Sequence, residues 1–186
     1  MKFYNEGNNN LIKIAGIVKE SIVDGPGIRY VIFTQGCPHH CEGCHNPQTH
    51  DFEGGKYINV NELLEDIEKN PLLKGVTLSG GEPFLQAKKL SKFIDKVKEK
   101  RNDLDVICYT GFEFENLIKN SNDQNGFKDL IDKTDILIDG KFDKNKMEEG
   151  LMFRGSSNQR AIDIKNTFEK NEIIEKDFNE EYNFKF

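Results

Sequence analysis

Three of the four cysteines in this chain lie within eight residues, in the segment Cys37-Pro38-His39-His40-Cys41-Glu42-Gly43-Cys44. A disulfide between any two of them would close a very short loop and would leave one thiol over. Thiolates that bind one inorganic centre, in contrast, need close spacing along the sequence. The segment therefore predicts a metal or iron-sulfur centre held by Cys37, Cys41 and Cys44.

The number of cysteines favours an iron-sulfur cluster with an open position. Clusters that only transfer electrons usually have four cysteine ligands, so three ligands on a four-iron cube leave one iron free to bind a substrate or cofactor. The alternative is a zinc site completed by Cys108 or by a histidine, either His39, His40, His45 or His50. Zinc ribbons usually have a second cysteine pair, which is missing here, and Cys108 lies in an apolar run where a thiol behaves as a small buried hydrophobe.

The length and composition of the chain indicate a single domain over residues 1–186. The chain is 36% hydrophobic with 14 Phe, which is enough for a core. Its net charge of −6, without a basic run, argues against nucleic-acid binding. Residues 1–10 lack an apolar signal core and no run of 18 apolar residues occurs, so we expect a cytoplasmic protein without membrane association. We also expect a frayed start at residues 1–10 and a helix or docking tail at residues 165–186.

Apolar runs alternate with stretches of helical spacing. The runs read as strands are Leu11 to Val18, Tyr30 to Thr34, Val76 to Ser79, Leu104 to Tyr109 and Asp135 to Ile138. The stretches read as helices are Val60 to Lys69, Ala87 to Lys100, Phe112 to Lys119 and Phe127 to Asp132. This alternation predicts right-handed βαβ units in an α/β fold with a mainly parallel sheet, either open or curled into a partial barrel.

Polar or glycine-rich loops follow four of the predicted strands. They are Gln35-Gly36-Cys37, Gly80-Gly81-Glu82-Pro83, Thr110-Gly111 and Asp139-Gly140-Lys141. Loops at the carboxyl edge of such sheets carry the ligand sites, so we expect the four loops to meet there. Asp139 and Lys141 could together hold a zwitterionic amino acid moiety, although an ordinary surface ion pair would explain them equally well.

The combination of these motifs resembles a known superfamily. A CxxxCxxC segment followed downstream by Gly-Gly-Glu-Pro resembles the radical S-adenosylmethionine enzymes. Asp24-Gly25-Pro26-Gly27-Ile28-Arg29 and Cys44-His45-Asn46-Pro47 are similar to segments of the glycyl radical enzyme activases. The short length, with Asp139 to Phe142 and Arg154 to Arg160, resembles the activases of anaerobic ribonucleoside-triphosphate reductase. The resemblance covers roughly Ile14 to Ile164.

The resemblance implies a fold, a cofactor set and residue roles. The fold would be a partial (β/α) barrel of the radical S-adenosylmethionine type. Cys37, Cys41 and Cys44 would be the catalytic ligands of one 4Fe-4S cluster, whose open iron binds the methionyl group of S-adenosylmethionine. The other cofactor-binding residues would be Gly80, Gly81 and Glu82 at the methionyl amino group, Asp139 and Lys141 near its carboxylate, and Gly43 near the adenine. Many members have an aromatic residue where Gly43 stands.

The resemblance also implies a reaction and two protein partners. One electron from a flavodoxin or ferredoxin would cleave S-adenosylmethionine to methionine and a 5′-deoxyadenosyl radical. That radical would take a hydrogen atom from a backbone glycine of the large glycyl radical enzyme, anaerobic ribonucleoside-triphosphate reductase. Arg29, and Arg154 or Arg160, are hypothesised to contact the incoming glycine loop, with a structural ion pair as the alternative for Arg160.

Two alternative functions remain open from the sequence. One is activation of another glycyl radical enzyme such as pyruvate formate-lyase, although those activases are usually longer. The other is a non-enzymatic zinc or electron-transfer protein, which would need no Gly-Gly-Glu-Pro loop.

Overall fold

A computed structural model describes residues 10–178 of the chain. The predicted frayed start and the end of the predicted tail, residues 1–9 and 179–186, lie outside the described residues. The strands are β1 (Leu11–Ser21), β2 (Ile28–Thr34), β3 (Lys56–Asn59), β4 (Leu73–Gly80), β5 (Asp105–Tyr109), β6 (Ile136–Asp139) and β7 (Arg160–Asp163). The helices are α1 (Val60–Lys69), α2 (Ala87–Lys100), α3 (Phe114–Lys119), α4 (Phe127–Ile131) and α5 (Ile164–Lys170). No helix in this described part is long and apolar enough to cross a membrane.

The seven strands form one mixed sheet in the order β3-β1-β2-β4-β5-β6-β7. The four central strands, β2, β4, β5 and β6, run parallel. The flanking strands β1, β3 and β7 pair antiparallel with their neighbours. The α/β fold is confirmed, but the expectation of a mainly parallel sheet is met only at the centre. Because the central strands run parallel, their carboxyl ends lie at one edge of the sheet.

The two faces of the sheet are covered differently. Alternate residues of a strand point to opposite faces, and in β5 Val106 and Cys108 join the large core cluster while Ile107 joins a smaller one. All five helices contribute to the large cluster. The smaller cluster, on the other face, includes Ile138 and Phe178. The helices therefore cover one face, and irregular segments cover the other.

Every helix and strand expected from the sequence is present. The ends of the helices differ from the expected ends by a few residues at most. The largest differences are in β1, which continues to Ser21, and in β4, which begins at Leu73 and ends at Gly80. The short strands β3 and β7 were not expected, and α5 lies at the start of the segment for which a helix or docking tail was expected. Beyond α5 the chain turns back along β7, where the Lys176 amide donates to the Ala161 carbonyl at 2.6 Å.

Arg29 lies inside the fold, fully buried between β2 and β4. Its guanidinium donates to the Thr77 hydroxyl at 2.6 Å and to the carbonyls of Val76 at 3.0 Å and Pro26 at 3.1 Å. It also forms an ion pair with Asp105 of β5. The hypothesis that Arg29 contacts an incoming protein segment is therefore wrong, because its buried guanidinium joins the loop before β2 to the middle of β4 and the start of β5.

Replacing Arg29 with Ala should destabilise the fold. The change would leave the Val76 carbonyl without its guanidinium donor and would remove the buried end of the pair with Asp105, at a cost of about 3 kcal/mol. Urea unfolding followed by circular dichroism measures this loss. The control is Lys69→Ala, which removes an exposed i,i+4 pair with Glu65 and should cost at most about 0.5 kcal/mol. Equal, small losses in both variants would show that the Arg29 contacts do not stabilise the fold.

Candidate functional site

A cavity of about 380 Å³ lies where the four parallel strands end. The loop after each of these strands contributes to its wall, so the expected meeting of the loops at the carboxyl edge is present. The lining residues from these loops are Cys37, His39, Cys41 and Cys44 after β2, Gly80 and Gly81 after β4, Thr110 and Gly111 after β5, and Gly140 and Phe142 after β6. All three clustered cysteines therefore face one space.

The start of the cysteine loop is held by backbone hydrogen bonds. The Gly36 amide donates to the Thr49 carbonyl at 2.8 Å, and the Cys37 amide donates to the His50 carbonyl at 3.2 Å. The Gln35 side chain, just before it, donates to the carbonyls of Gln48 and Asp51. These bonds join residues 35–37, at the start of the cysteine loop, to residues 48–51, which follow the last cysteine. The hydrogen bonds of the protein therefore shape the loop without a contribution from the thiols.

The sulfur of Cys44, the last cysteine of the loop, lies close to a backbone amide. The Cys44 amide donates to the Cys41 carbonyl at 3.2 Å, which closes a turn. The Asn46 amide points at the Cys44 sulfur at 3.4 Å. A backbone amide directed at a cysteine sulfur is one of the contacts that tune the potential of an iron-sulfur cluster.

The three thiols are free, and burial raises the pKa of two of them. No disulfide involves Cys37, Cys41 or Cys44. Burial raises the pKa of Cys37 to about 11, and burial also raises the pKa of Cys41. Metal ligation requires the thiolate, so binding a cluster here would release protons.

Within residues 10–178, no three His, Cys, Asp or Glu side chains stand close enough to bind a single metal ion. In a four-iron cube the thiolates bind different irons. The donor set thus fits a cluster.

The glycine loop after β4 packs directly against the start of the cysteine loop. The Gly81 amide donates to the Thr34 carbonyl and the Glu82 amide to the Gly36 carbonyl, both at 2.9 Å. A Cβ atom on Gly81 would lie 2.5 Å from the Gly36 oxygen, and one on Gly80 would lie 2.6 Å from the Phe33 Cα. Only glycine fits at these two positions, because any side chain would separate the two loops.

Glu82 is fully buried and accepts four hydrogen bonds. One carboxylate oxygen accepts from the Phe84 amide at 3.0 Å and the Thr110 hydroxyl at 2.9 Å. The other accepts from the Gly111 amide at 2.9 Å and contacts His39 Nε2 at 2.7 Å. Sequence reasoning placed Glu82 at a cofactor. In the structure its carboxylate joins the cysteine loop, the glycine loop and the loop after β5.

Asp139 and Lys141 do not line the cavity that holds the cysteines. They border a neighbouring depression together with Arg160. The buried Asp139 carboxylate accepts from Arg160 Nε at 3.0 Å and from the Phe114 amide at 2.8 Å, which caps α3. Arg160 also donates to Glu115 at 2.8 Å and 3.0 Å and lowers the pKa of that carboxyl. The ion-pair partner of Asp139 is thus Arg160. A structural ion pair was the alternative hypothesis for Arg160, and the structure shows that ion pair.

Three aromatic residues of the cavity were assigned no role from the sequence. Gly43 packs towards Phe142 and Lys144, since a Cβ atom on it would lie 3.5 Å from each. Phe142, Tyr109 and Phe153 line the cavity. The ring of Phe142 lies 4.8 Å from that of His45. Tyr109 and Phe142 could have been found from sequence, because they end a predicted strand or follow one by a few residues.

The two arginines near the end of the domain have different surroundings. Arg154 lines the cavity and donates to the Gln159 carbonyl at 3.0 Å. Arg160 is engaged by two carboxylates and does not line the cavity. The exposed apolar residues Ile22 and Val23 lie in the loop between β1 and β2, and Val23 reaches the cavity wall. Arg154 and Val23 thus lie at the border of the cavity.

Comparison with known proteins identifies the class to which this site belongs. The sequence model of a family described as a 4Fe-4S single cluster domain matches residues 23–162. This range includes the three cysteines, the glycine loop and all four central strands.

Curated relatives define the group more closely. An anaerobic ribonucleoside-triphosphate reductase-activating protein of Enterobacteria phage T4 is 34% identical over 74% of this chain and 85% of that protein. A protein of the same name from Haemophilus influenzae is 31% identical over 74% of this chain and 89% of that protein. A pyruvate formate-lyase-activating enzyme of Clostridium pasteurianum is 34% identical over 65% of this chain, but over only 58% of that enzyme. The chain belongs to the 4Fe-4S single-cluster family and, within it, to the anaerobic ribonucleoside-triphosphate reductase-activating proteins.

Replacing Cys108 with Ala should leave iron binding unchanged. Cys108 is fully buried in the large core cluster, and burial raises the pKa of its thiol well above the usual value. The variant should lose about 1 kcal/mol of stability through the small cavity created. The measurement is iron per chain after anaerobic reconstitution, compared with wild type. Loss of iron in a variant that still folds would identify Cys108 as a fourth ligand.

Proposed function

We propose that this chain activates an anaerobic ribonucleoside-triphosphate reductase by generating a glycyl radical on it, using a 4Fe-4S cluster and S-adenosylmethionine. The observation that carries the proposal is the cavity at the carboxyl edge, where three free cysteines face the Gly80-Gly81 loop. The sequence relationship to activating proteins supports the reaction, and the donor set supports the cofactor.

The residues of the cavity would divide between the two cofactors. Cys37, Cys41 and Cys44 hold the cluster, and the Gly80-Gly81 backbone receives the methionyl end of S-adenosylmethionine. When bound, the two cofactors supply the 5′-deoxyadenosyl radical chemistry of this superfamily. The close packing of the glycine loop on the cysteine loop fixes the distance between the two sites.

The remaining cofactor residues have less direct parts in this proposal. Glu82 acts on the methionyl amino group mainly by holding the loops around it, since its carboxylate already accepts four hydrogen bonds. Asp139 supports the edge of the site through its bonds to Arg160 and the Phe114 amide. Lys141 lies beside it in the depression next to the cavity. Gly43, whose φ of +75° suits glycine, lies against Phe142 at the proposed adenine site.

We further propose that the sheet is a partial barrel forming one domain. Helices on one face and irregular segments on the other support this arrangement. The concave face would then shield the radical from water. A flavodoxin or ferredoxin as electron donor and a cytoplasmic location remain predictions from the sequence.

Activation of pyruvate formate-lyase is not favoured as the alternative function. The pyruvate formate-lyase-activating relative matches over a smaller share of its own length than the ribonucleotide reductase-activating relatives do. A zinc protein is not favoured either, because the matching family is described as a 4Fe-4S domain.

The proposed function is tested by forming the radical in the reconstituted system. Wild-type protein with about four irons per chain, S-adenosylmethionine, a reductant and an anaerobic ribonucleoside-triphosphate reductase should give a glycyl radical signal in electron paramagnetic resonance. Ser at Cys37, Cys41 or Cys44 should abolish the signal and lower the iron content, because each thiolate binds a different iron.

The matched control is Cys108→Ser, a fourth cysteine outside the cavity, which should retain iron and radical formation. A wild-type protein that binds stoichiometric zinc and forms no iron-sulfur cluster on reconstitution would contradict the proposal. So would radical formation on pyruvate formate-lyase but not on the reductase.

The two arginines should separate partner activation from protein stability. Arg154→Ala should lower glycyl radical yield about tenfold while leaving slow, uncoupled formation of 5′-deoxyadenosine nearly unchanged, because Arg154 borders the cavity opening. Arg160→Ala should instead lower the unfolding temperature, because it leaves the buried Asp139 carboxylate without its cation. The assay compares radical yield with 5′-deoxyadenosine per chain. A parallel fall of both reactions in folded Arg154→Ala would assign that residue to cofactor placement.

A further inference from the structure

His39 lies between the cysteine loop and the two loops that face it. Its side chain is only 7% exposed, and its Nε2 atom lies 2.7 Å from a carboxylate oxygen of Glu82. The imidazole also packs edge-on against the Phe112 ring, with centroids 4.6 Å apart. His39 therefore connects the segment between Cys37 and Cys41 to both the glycine loop and the loop after β5.

The hydrogen bond to Glu82 requires one tautomer of His39. An ionised carboxylate only accepts hydrogen bonds, so the bond forms with the tautomer that carries a hydrogen on Nε2. The same Glu82 oxygen accepts from the Gly111 amide, and the other oxygen is filled by the Phe84 amide and the Thr110 hydroxyl. Removing the imidazole would leave one oxygen of a fully buried carboxylate with a single donor, and such a group moves or draws in water.

Gly111, in the loop after β5, lies directly against the imidazole ring of His39. A Cβ atom on Gly111 would lie 2.4 Å from His39 Cδ2 and 2.7 Å from Nε2. A contact that short is not possible, so any side chain at position 111 must displace the ring. The imidazole is thus held from three directions, by Glu82, Phe112 and Gly111.

We propose that His39 is a positioning residue, whose hydrogen bond to Glu82 fixes the cysteine loop relative to the Gly80-Gly81 loop and so presets the pocket for the methionyl end of S-adenosylmethionine. This inference rests on the proposed function. His39 does not bind the cluster in this scheme. It acts through Glu82, whose backbone amide is itself bonded to Gly36 at the start of the cysteine loop.

The test measures S-adenosylmethionine affinity on anaerobically reconstituted full-length protein by equilibrium dialysis. His39→Ala should retain the wild-type iron content, because the three cysteines remain, and should raise the dissociation constant about tenfold or more. His39→Gln should restore affinity to within about threefold of wild type, because its amide nitrogen can donate from nearly the same place as Nε2. The spectral change that S-adenosylmethionine causes in the reduced cluster should be broadened in His39→Ala and recovered in His39→Gln.

The matched control is His40→Asn, a change at the next residue of the same loop. His40 is exposed, contacts His50 rather than Glu82, and has a φ of +48°, which Asn tolerates. Its affinity should stay within about twofold of wild type. A general sensitivity of the loop would instead affect both histidines alike.

A double-mutant cycle tests the route through the ring. Gly111→Ala alone should weaken binding about as much as His39→Ala, since it must push the imidazole off Glu82. In the His39→Ala background the same change should cost little, because the clash is gone. Additive losses would overturn the proposal, since they would show that Gly111 acts independently of His39.

Other outcomes are equally decisive. Unchanged binding by His39→Ala would overturn the proposal, because the bond to Glu82 would then not preset the pocket. Tighter binding would also overturn it, because it would mean that His39 competes with the cofactor for Glu82. Loss of iron in folded His39→Ala would also overturn it, by assigning His39 to the cluster itself. Failure of the wild-type protein to bind S-adenosylmethionine would contradict the proposed function instead.

Discussion

The buried carboxylate of Glu82 is the interaction on which the arrangement of the site depends. A charge without solvent contact is stable only when hydrogen bonds replace water. Here the four donors come from His39, the Phe84 amide, the Thr110 hydroxyl and the Gly111 amide. Since these donors belong to loops that follow three different strands, satisfying one carboxylate fixes three loops at once.

The parallel centre of the sheet makes this convergence possible. β2, β4 and β5 end at the same edge, and the pairing of Thr34 with Gly80 sets the cysteine loop beside the glycine loop. The buried Arg29, near the start of β2, ties that strand to the middle of β4 and the start of β5. Backbone bonds at the carboxyl edge and the buried guanidinium thus leave the cavity walls little freedom, although the cavity itself contains free thiols.

The sequence predicted the elements well where the apolar runs were long enough to show a period. Leu104 to Tyr109 and Ala87 to Lys100 are of this kind, and the burial of Cys108 followed from its place in such a run. The four-residue strands β3 and β7 were missed, because Lys56–Asn59 and Arg160–Asp163 are short and half polar. Strand direction also could not be read, since an antiparallel edge strand has no distinct residue pattern.

The site was predictable in its position but not in its contacts. The loops that follow the predicted strands indicated the position of the cavity, because such loops lie together at the carboxyl edge of a parallel sheet. The bond between His39 and Glu82 joins residues 43 positions apart, and no local pattern reveals such a pair. The same holds for Asp139, whose neighbour in sequence is Lys141 but whose partner in space is Arg160.

The charged groups of the site and of the strands beneath it separate into two groups by burial. Glu82, Asp139 and Arg29 are fully buried or nearly so, and each is engaged by partners of the fold itself. Such groups cost stability when a partner is removed, so they hold the geometry of the loops around them. Arg154 is partly exposed at the cavity wall, and within residues 10–178 its one hydrogen-bond acceptor is the Gln159 carbonyl. A guanidinium in that position keeps donors available, which is the property required of a residue that meets an incoming backbone.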